Sequence, residues 1–315
     1  MSLIKRSVAT IPGVVLLFCG CDLDEIAASS NKYTDEFQFG FDAAAGVQLD
    51  IENFNGSVEV YGWDKNRVEV NGTKTAGTKE ALDALKVDVT YAGGIVRGRS
   101  IRPMDLRRIN MGVRYRIHVP TRVQNVRLVS SNGQIRLESI ESGQEAFVRT
   151  SNGPVRVLKY RGDLNVETSN GPVELSEYSG GARIQTSNGR VSAAGITGHL
   201  DATTSNGGIH ADLSSMQSSR PVKLRTSNGP VSLTLNSTAA TDITVNTSNG
   251  PITVNMGSSS GARVKATTSN SSISTELPLN NVMTMSKSHV EGVIGSGGAL
   301  LDLRTSNGSI QIRKN

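Results

Sequence analysis

The chain has 315 residues, 37% of them hydrophobic and 19% charged, a balance that supports one or two folded domains and excludes an intrinsically disordered chain. Aromatic residues make up only 4% and glycine fills 33 positions, which suits thin layers built of strands and argues against one large globular core. The net charge is +5, and both cysteines, Cys19 and Cys21, lie near the N-terminus, so the body beyond them can hold neither disulfides nor thiolate metal sites.

Residues 1–20 read as a segment outside the fold. Lys5 and Arg6 give a basic start, Ser7 to Phe18 form a largely apolar run too short to cross a bilayer, and Phe18-Cys19-Gly20-Cys21 follows. This resembles a bacterial lipoprotein signal, whose processing site ends on a small residue and then the cysteine that receives lipid. Cys21, behind Gly20, matches that last place; Phe18 and Cys19 depart from the usual letters before it. The resemblance implies lipidation at Cys21, and the alternative is a plain secretory signal cut nearby. Both export the chain. Residues 21–32 are small and polar and read as a tether, so the expected location is the bacterial cell envelope, as a membrane-anchored lipoprotein in the periplasm or on the surface.

Residues 33–124 predict an N-terminal β region or cap. Val47, Leu49 and Ile51 alternate with polar residues, Asn53-Phe54-Asn55-Gly56 turns, Val58 and Val60 follow, and Val68 and Val70 return after Gly62-Trp63-Asp64-Lys65. The single helix candidate runs from Thr78 to Leu85, where Ala81, Leu82 and Leu85 share a face. Charge is concentrated nearby: residues 97–127 contain Arg97, Arg99, Arg102, Arg107, Arg108, Arg114, Arg116, Arg122 and Arg127 against one acid, Asp105. Arg97, Arg99, Arg102, Arg107, Arg108, Arg114 and Arg116 are therefore candidates for contact with an anionic surface, with exposed arginines for solubility and edge protection as the competing explanation.

Residues 125–315 are organised by one returning phrase, clearest as Thr168-Ser169-Asn170-Gly171-Pro172-Val173. Copies centre on Asn132, Asn152, Asn170, Asn188, Asn206, Asn228, Asn249, Asn270 and Asn307, at steps of 20, 18, 18, 18, 22, 21, 21 and 37. Eight of them are followed by glycine, at Gly133, Gly153, Gly171, Gly189, Gly207, Gly229, Gly250 and Gly308. The wide last step contains Met285 to Val290, which reads as a worn copy centred on Lys287. Apolar residues recur four and six places before the Asn and three and five places after it, as in Val166, Leu164, Val173 and Leu175, so each repeat reads as strand, corner, strand. Positive φ at the turn accounts for Asn followed by Gly. Tyr160, Tyr178 and Ile196, each followed two residues later by glycine, read as a second corner.

An antiparallel meander of Asn-Gly hairpins is the competing architecture. A hairpin needs turn chemistry but not identical letters, whereas coils stacked in register place like residues on one another and form Asn and Thr ladders. The reading is therefore all-β: a single-stack, right-handed β-solenoid of about ten coils of 18–22 residues, with its N-terminal cap.

Ile51 to Val58, Tyr61-Gly62-Trp63-Asp64, Tyr115 to Pro120 leading into Val126-Arg127-Leu128, and the Ser-Asn-Gly series together resemble the bacterial putative-adhesin family, a domain of unknown function in β-strand-repeat proteins. The resemblance covers most of the chain beyond the tether and implies a β-helical fold, export and, by its name, adhesion.

Other chemistry is not indicated. Calcium repeats would carry Asp in the turns, and the in-phase threonines point inward, which argues against an ice-binding face. The outer column four residues past each Asn (Arg136, Arg156, Glu174, Ser192, His210, Ser232 and onward) contains no carboxylate pair of the kind glycan cleavage uses. His118, His199, His210 and His289 lack metal spacing. No cofactor is expected, and an exported chain with so few aromatics is not expected to bind nucleic acid. The expected function is a lipid-anchored, non-enzymatic envelope scaffold, adhesin or sensing module. Its partners are the membrane, through the anchor, and anionic lipid, glycan or an envelope protein; the alternative is a secreted carbohydrate-active β-helix enzyme.

Overall fold

The computed structural model describes residues 33–315 apart from 107, 216–219 and 258–259, and these belong to one compact unit. The expected signal segment and tether, with Cys21, lie outside the described residues.

The chain opens with β1 (Tyr33–Asp42), β2 (Val47–Asn53), β3 (Val58–Trp63) and β4 (Arg67–Ala76). A short helix, α1 (Lys79–Ala84), follows. Thr78 caps it by accepting the Ala81 N–H, and Ala81, Leu82 and Leu85 are buried beneath it. After β5 (Lys86–Ala92), β6 (Ile95–Ile101) and β7 (Met111–Pro120), the repeats begin with β8 (Arg122–Ser130) and β9 (Ile135–Ser142). They continue through β10 (Ala146–Thr150), β11 (Val155–Arg161), β12 (Leu164–Thr168), β13 (Val173–Thr186), β14 (Val191–Thr203), β15 (Ile209–Ser215), β16 (Val222–Arg225), β17 (Val231–Leu235), β18 (Ile243–Asn246) and β19 (Ile252–Met256). The C-terminal part adds β20 (Ala262–Thr268), β21 (Ile273–Thr275), β22 (Leu279–Met285), β23 (His289–Ile294), β24 (Leu300–Thr305) and β25 (Ile310–Lys314).

Each coil contributes one strand before its Asn corner and one after it. The post-corner strands pair in parallel and in register, so that Val155, Val173, Val191, Ile209 and Val231 lie in one column. The pre-corner strands do the same, with Thr150 beside Thr168 and Thr168 beside Thr186. Strands β13 and β14 run on through the second corner and join the two ladders. Alternate side chains of both ladders point inward and are buried in one continuous apolar core. The architecture is an all-β solenoid, and the meander is excluded by the parallel pairing.

The stacking order departs from the chain order at both ends. Strands β2 and β3 pair on one side with β8 and β9 and on the other with β6 and β7, so the first coil is enclosed by two later ones. At the far end β24 and β25 insert between β18/β19 and β20/β21. Two expectations are corrected here. The segment around Lys287 is no coil: β22 and β23 form an antiparallel hairpin laid against β20. The region 33–124 is no separate cap, because β2, β3, β6 and β7 are layers of the same stack. Capping falls to the antiparallel strands β1, β4 and β5 at one end and to β22 and β23 at the other, which keeps parallel ladder edges from meeting other chains.

The corners hold by three stacked contacts. Asn152 donates its side-chain amide to Asn132 at 2.6 Å, and the ladder runs on through Asn170, Asn188, Asn206, Asn228 and Asn249 at 2.7–2.8 Å. It then passes to Asn307 and last to Asn270, following the stacking order. Inside the corner, Thr226 accepts the N–H of Gly229 at 3.2 Å and donates to the Gly207 carbonyl of the layer below at 2.8 Å. Thr150, Thr186, Thr204, Thr247 and Thr305 make the same pair of bonds.

The glycines are there for a different reason from the one expected. Among the described residues positive φ is absent from the Asn-Gly corners of the repeats, from Gly133 to Gly308, and of this column falls on the first coil's Gly56, at 109°. A Cβ on Gly153, Gly171, Gly189, Gly207, Gly250 or Gly308 would instead stand 1.8–1.9 Å from the carbonyl oxygen of the neighbouring layer's corner glycine; Gly133 meets Gly56 and Gly229 meets Gly207 in the same way. In the repeats positive φ recurs at the second corner, at Gly162, Gly180 and Gly198, and in a column three residues earlier made by Ser139, Lys159, Glu177 and Gly195.

Candidate functional site

The arginine segment is split by the fold. Arg97 and Arg99 stand on the outer face of β6, in the pre-corner ladder, while Arg114 and Arg116 stand on the outer face of β7, in the post-corner ladder. Arg102 and Arg108 lie between those two strands, and Arg107 lies outside the described residues. The six described arginines therefore form no single surface.

Insertion of the first coil neutralises much of this charge. Arg127 on β8 reaches Asp50 and Glu52 on β2, each at 2.7 Å, and Arg99 approaches Glu52 from the other side at 3.5 Å. The bonds to Asp50 and Glu52 hold the Arg127 guanidinium above its ordinary pKa range. Arg116 lies 3.6 Å from Glu59 on β3, and Arg122 pairs with Glu141 at 3.2 Å. Arg102 donates to the Ile109 carbonyl and lies over the Phe54 ring. Arg97 and Arg114 make no ion pair among the described residues.

Arg114 sits in a groove of about 950 Å³ on the outer face of β1, β4, β7, β3 and the start of β9. Two rows of side chains cross its floor. Gln38, Asn71, Arg116, Glu59 and Arg136 are successive partners across the five strands. In the adjacent row, Glu36 and Thr73 lead to Arg114, and Ser57 follows on the far side. Arg114 is thus flanked by hydroxyls, whereas Arg116 is flanked by an amide and a carboxylate.

Farther along β3 and β7, past Glu59 and Arg116, stands an aromatic group. The His118 ring stacks on Tyr61 at 5.6 Å and on Trp63 at 5.0 Å, with Lys65 over the outer side of the indole. Tyr61 donates to Glu59 at 2.9 Å; burial and then that bond raise its pKa. Sequence reasoning missed this group because Tyr61 and His118 are 57 positions apart and meet only through the β3–β7 register.

The remaining histidines are dispersed. His199 is half-buried beside the second corner, and burial lowers its pKa. His289 lies beside Thr267 and 3.6 Å from Glu291 on the C-terminal hairpin, and His210 is exposed on β15. Among the described residues no cluster of His, Cys, Asp and Glu has metal-holding geometry. The outer column is reordered: Thr253 is followed by Gln311 and then Ser274, Glu291 leaves it for the hairpin, and Arg156 pairs with Glu174 at 2.9 Å. Among the described residues no helix is long and apolar enough to cross a membrane.

Fold and groove together define a class: an in-register β-solenoid that displays a polar groove on the outer face of one ladder. The chain belongs to the Toastrack DUF4097 family, which it matches over residues 47–255. No curated protein matches it. Among solved structures it is similar to a putative cell adhesion protein from Clostridium sporogenes, with 11% identity and a TM-score of 0.27 over 90% of this chain and 100% of that one. It is also similar to a putative adhesin from Bacteroides fragilis, with 10% identity and a TM-score of 0.33 over 89% and 97% of the two chains. A putative lipid binding protein from Parabacteroides distasonis shows 12% identity and a TM-score of 0.33 over 91% and 98%.

Proposed function

We propose that this chain is an exported, non-enzymatic β-solenoid of the bacterial envelope, tethered by a lipid on Cys21, that serves as a scaffold or adhesin-type interaction module. Its N-terminal end meets an anionic partner. The observation that carries the reading is the groove around Arg114, where a guanidinium without an ion pair is held on a sheet that cannot shift without breaking stacked ladders on both sides. A side chain kept charged and uncompensated on a rigid frame is suited to receiving a partner's negative group.

Two measurements test the two halves of this reading. Cys21→Ala is expected to move the protein from the membrane fraction to the soluble fraction; retention in the membrane as firm as the parent's overturns the anchor. In a pull-down from envelope extract at low salt, Arg114→Ser with Arg116→Ser is expected to lose the partner that the parent retains. Equal capture by both chains removes the groove from the function.

A further inference from the structure

The balance of charge in the groove narrows what it can hold. Glu36 and Glu59 balance Arg114 and Arg116 in number, so the groove has no net positive charge to draw a densely charged phosphate or sulfate polymer, which would meet two carboxylates. Arg114 makes no ion pair among the described residues, Glu36 standing one strand farther off beyond Thr73, and around it are hydroxyls at Ser57 and Thr73 and amides at Gln38, Asn71 and Gln134. Hydroxyls and amides both donate and accept, as a polyhydroxylated ligand requires, while a lone guanidinium offers two parallel donors to one carboxylate. The groove is open and long enough to follow several strands, unlike an enclosed pocket for a small apolar molecule.

We propose that this groove is a saccharide site for a sugar acid of the uronate type, with Arg114 receiving the sugar carboxylate and Asn71, Thr73 and Gln38 taking its hydroxyls. The assignment rests on the anionic contact proposed above and names its ligand class. Arg114 provides selectivity for the acid, and the paired Arg116–Glu59 beside it is left to hydrogen-bond neutral hydroxyls.

The test uses the purified full chain and follows binding by calorimetry and by fluorescence of Trp63, the only tryptophan in the sequence, which lies on β3 beyond Glu59. A galacturonate hexamer is compared with its fully methyl-esterified form and with neutral maltohexaose, at low and at physiological salt. The acid hexamer is expected to bind at both salts, and Arg114→Gln or esterification to weaken it by about tenfold or more. Arg97→Gln, which removes the same charge from the opposite ladder, is expected to leave binding unchanged. Absence of hexamer binding, or equal losses from Arg114→Gln and Arg97→Gln, overturns the saccharide site. Vesicles containing phosphatidylglycerol form the second arm: binding to them through Arg114 without hexamer binding removes the sugar assignment and keeps the anionic contact, and failure of both arms removes both. Cleavage of the hexamer that disappears in Glu59→Gln would keep the sugar class and overturn the non-enzymatic reading.

Discussion

Glycine is used in two different ways in this stack, and substitutions separate them. At Gly189 the constraint is space: an added Cβ would lie 1.9 Å from the Gly171 carbonyl and 2.8 Å from the Thr186 hydroxyl. Gly189→Val is therefore expected to cost about 1–3 kcal/mol in urea unfolding. Ser271 already carries a Cβ at the equivalent corner in the outermost layer, so Ser271→Ala should stay within about 0.5 kcal/mol. Equal losses at the two positions would count against the close carbonyl contact. At Lys159 the constraint is conformation, since φ is 52° and Gly195 occupies the same place two layers on with φ 66°. The left-handed region costs a side-chain-bearing residue about 1–2 kcal/mol, part of which glycine gives back as chain entropy. Lys159→Gly is expected to raise stability by up to about 1 kcal/mol; a clear loss would show that Lys159 makes contacts worth more than the strain.

The second corner is built on stacked aromatic residues, and burial makes it sensitive to alkali. Tyr160 and Tyr178 are fully buried, their rings 5.8 Å apart and nearly parallel, with Ile140 and Ile196 above and below in the same column. Tyr178 places its hydroxyl 2.6 Å from the Gly162 carbonyl and 2.9 Å from that of Gly181, while the Tyr160 hydroxyl, beside Ser142, makes no well-formed hydrogen bond among the described residues. Burial pushes the Tyr160 phenol up to about 12 and raises Tyr178 as well. A phenol whose folded pKa is raised contributes its full stabilisation below the unfolded value near 10 and loses it as pH climbs toward the folded value. Between pH 10 and 12 each such phenol should lower stability by about 1.4 kcal/mol per pH unit. Tyr160→Phe is expected to leave stability at pH 7 within about 1 kcal/mol and to flatten this decline by one phenol's share. Urea midpoints measured across that range for both chains check the sign; parallel curves would mean that Tyr160 ionises as freely in the fold as out of it.

The stack order can be tested with cysteine pairs, since the body of the chain has none of its own. Asn246 and Arg304 are direct partners across β18 and β24, and Thr267 is the next partner beyond Arg304. Adjacent strands lie about 4.8 Å apart, within the Cα separation a disulfide accepts, and strands two apart lie beyond it. With Cys19 and Cys21 changed to Ala, Asn246→Cys with Arg304→Cys should form an intramolecular disulfide on mild oxidation, seen by mass. Asn246→Cys with Thr267→Cys, neighbours if coils followed chain order, should not. The reverse result would mean that the last coil is the outermost layer. Enclosing β2/β3 and β24/β25 between other layers leaves neither at an open end, and the exposed ends are closed by antiparallel strands whose edges carry Asp35, Glu36, Lys86 and Asp88 on the N-terminal side.

The repeat, its two corners, the inward threonines and the all-β class were legible because a stacked coil imposes its geometry on every layer, and identical constraints select identical letters. The small helix was legible for a local reason, the Thr78 cap ahead of Ala81, Leu82 and Leu85. What the letters could not carry is which layers touch when the chain skips a place. Asn270 and Asn307 look alike, and either could rest on Asn249; the register of β18 against β24 makes the choice. The same limit hid the groove, because acids that neutralise the arginine segment come from β2 and β3, 47 to 77 residues earlier in the chain. The physical reason is that periodicity is a property of neighbours along the chain, whereas charge compensation and layer order are properties of neighbours in space. Only the closed stack brings Glu59, Arg116 and the unpaired Arg114 onto one face.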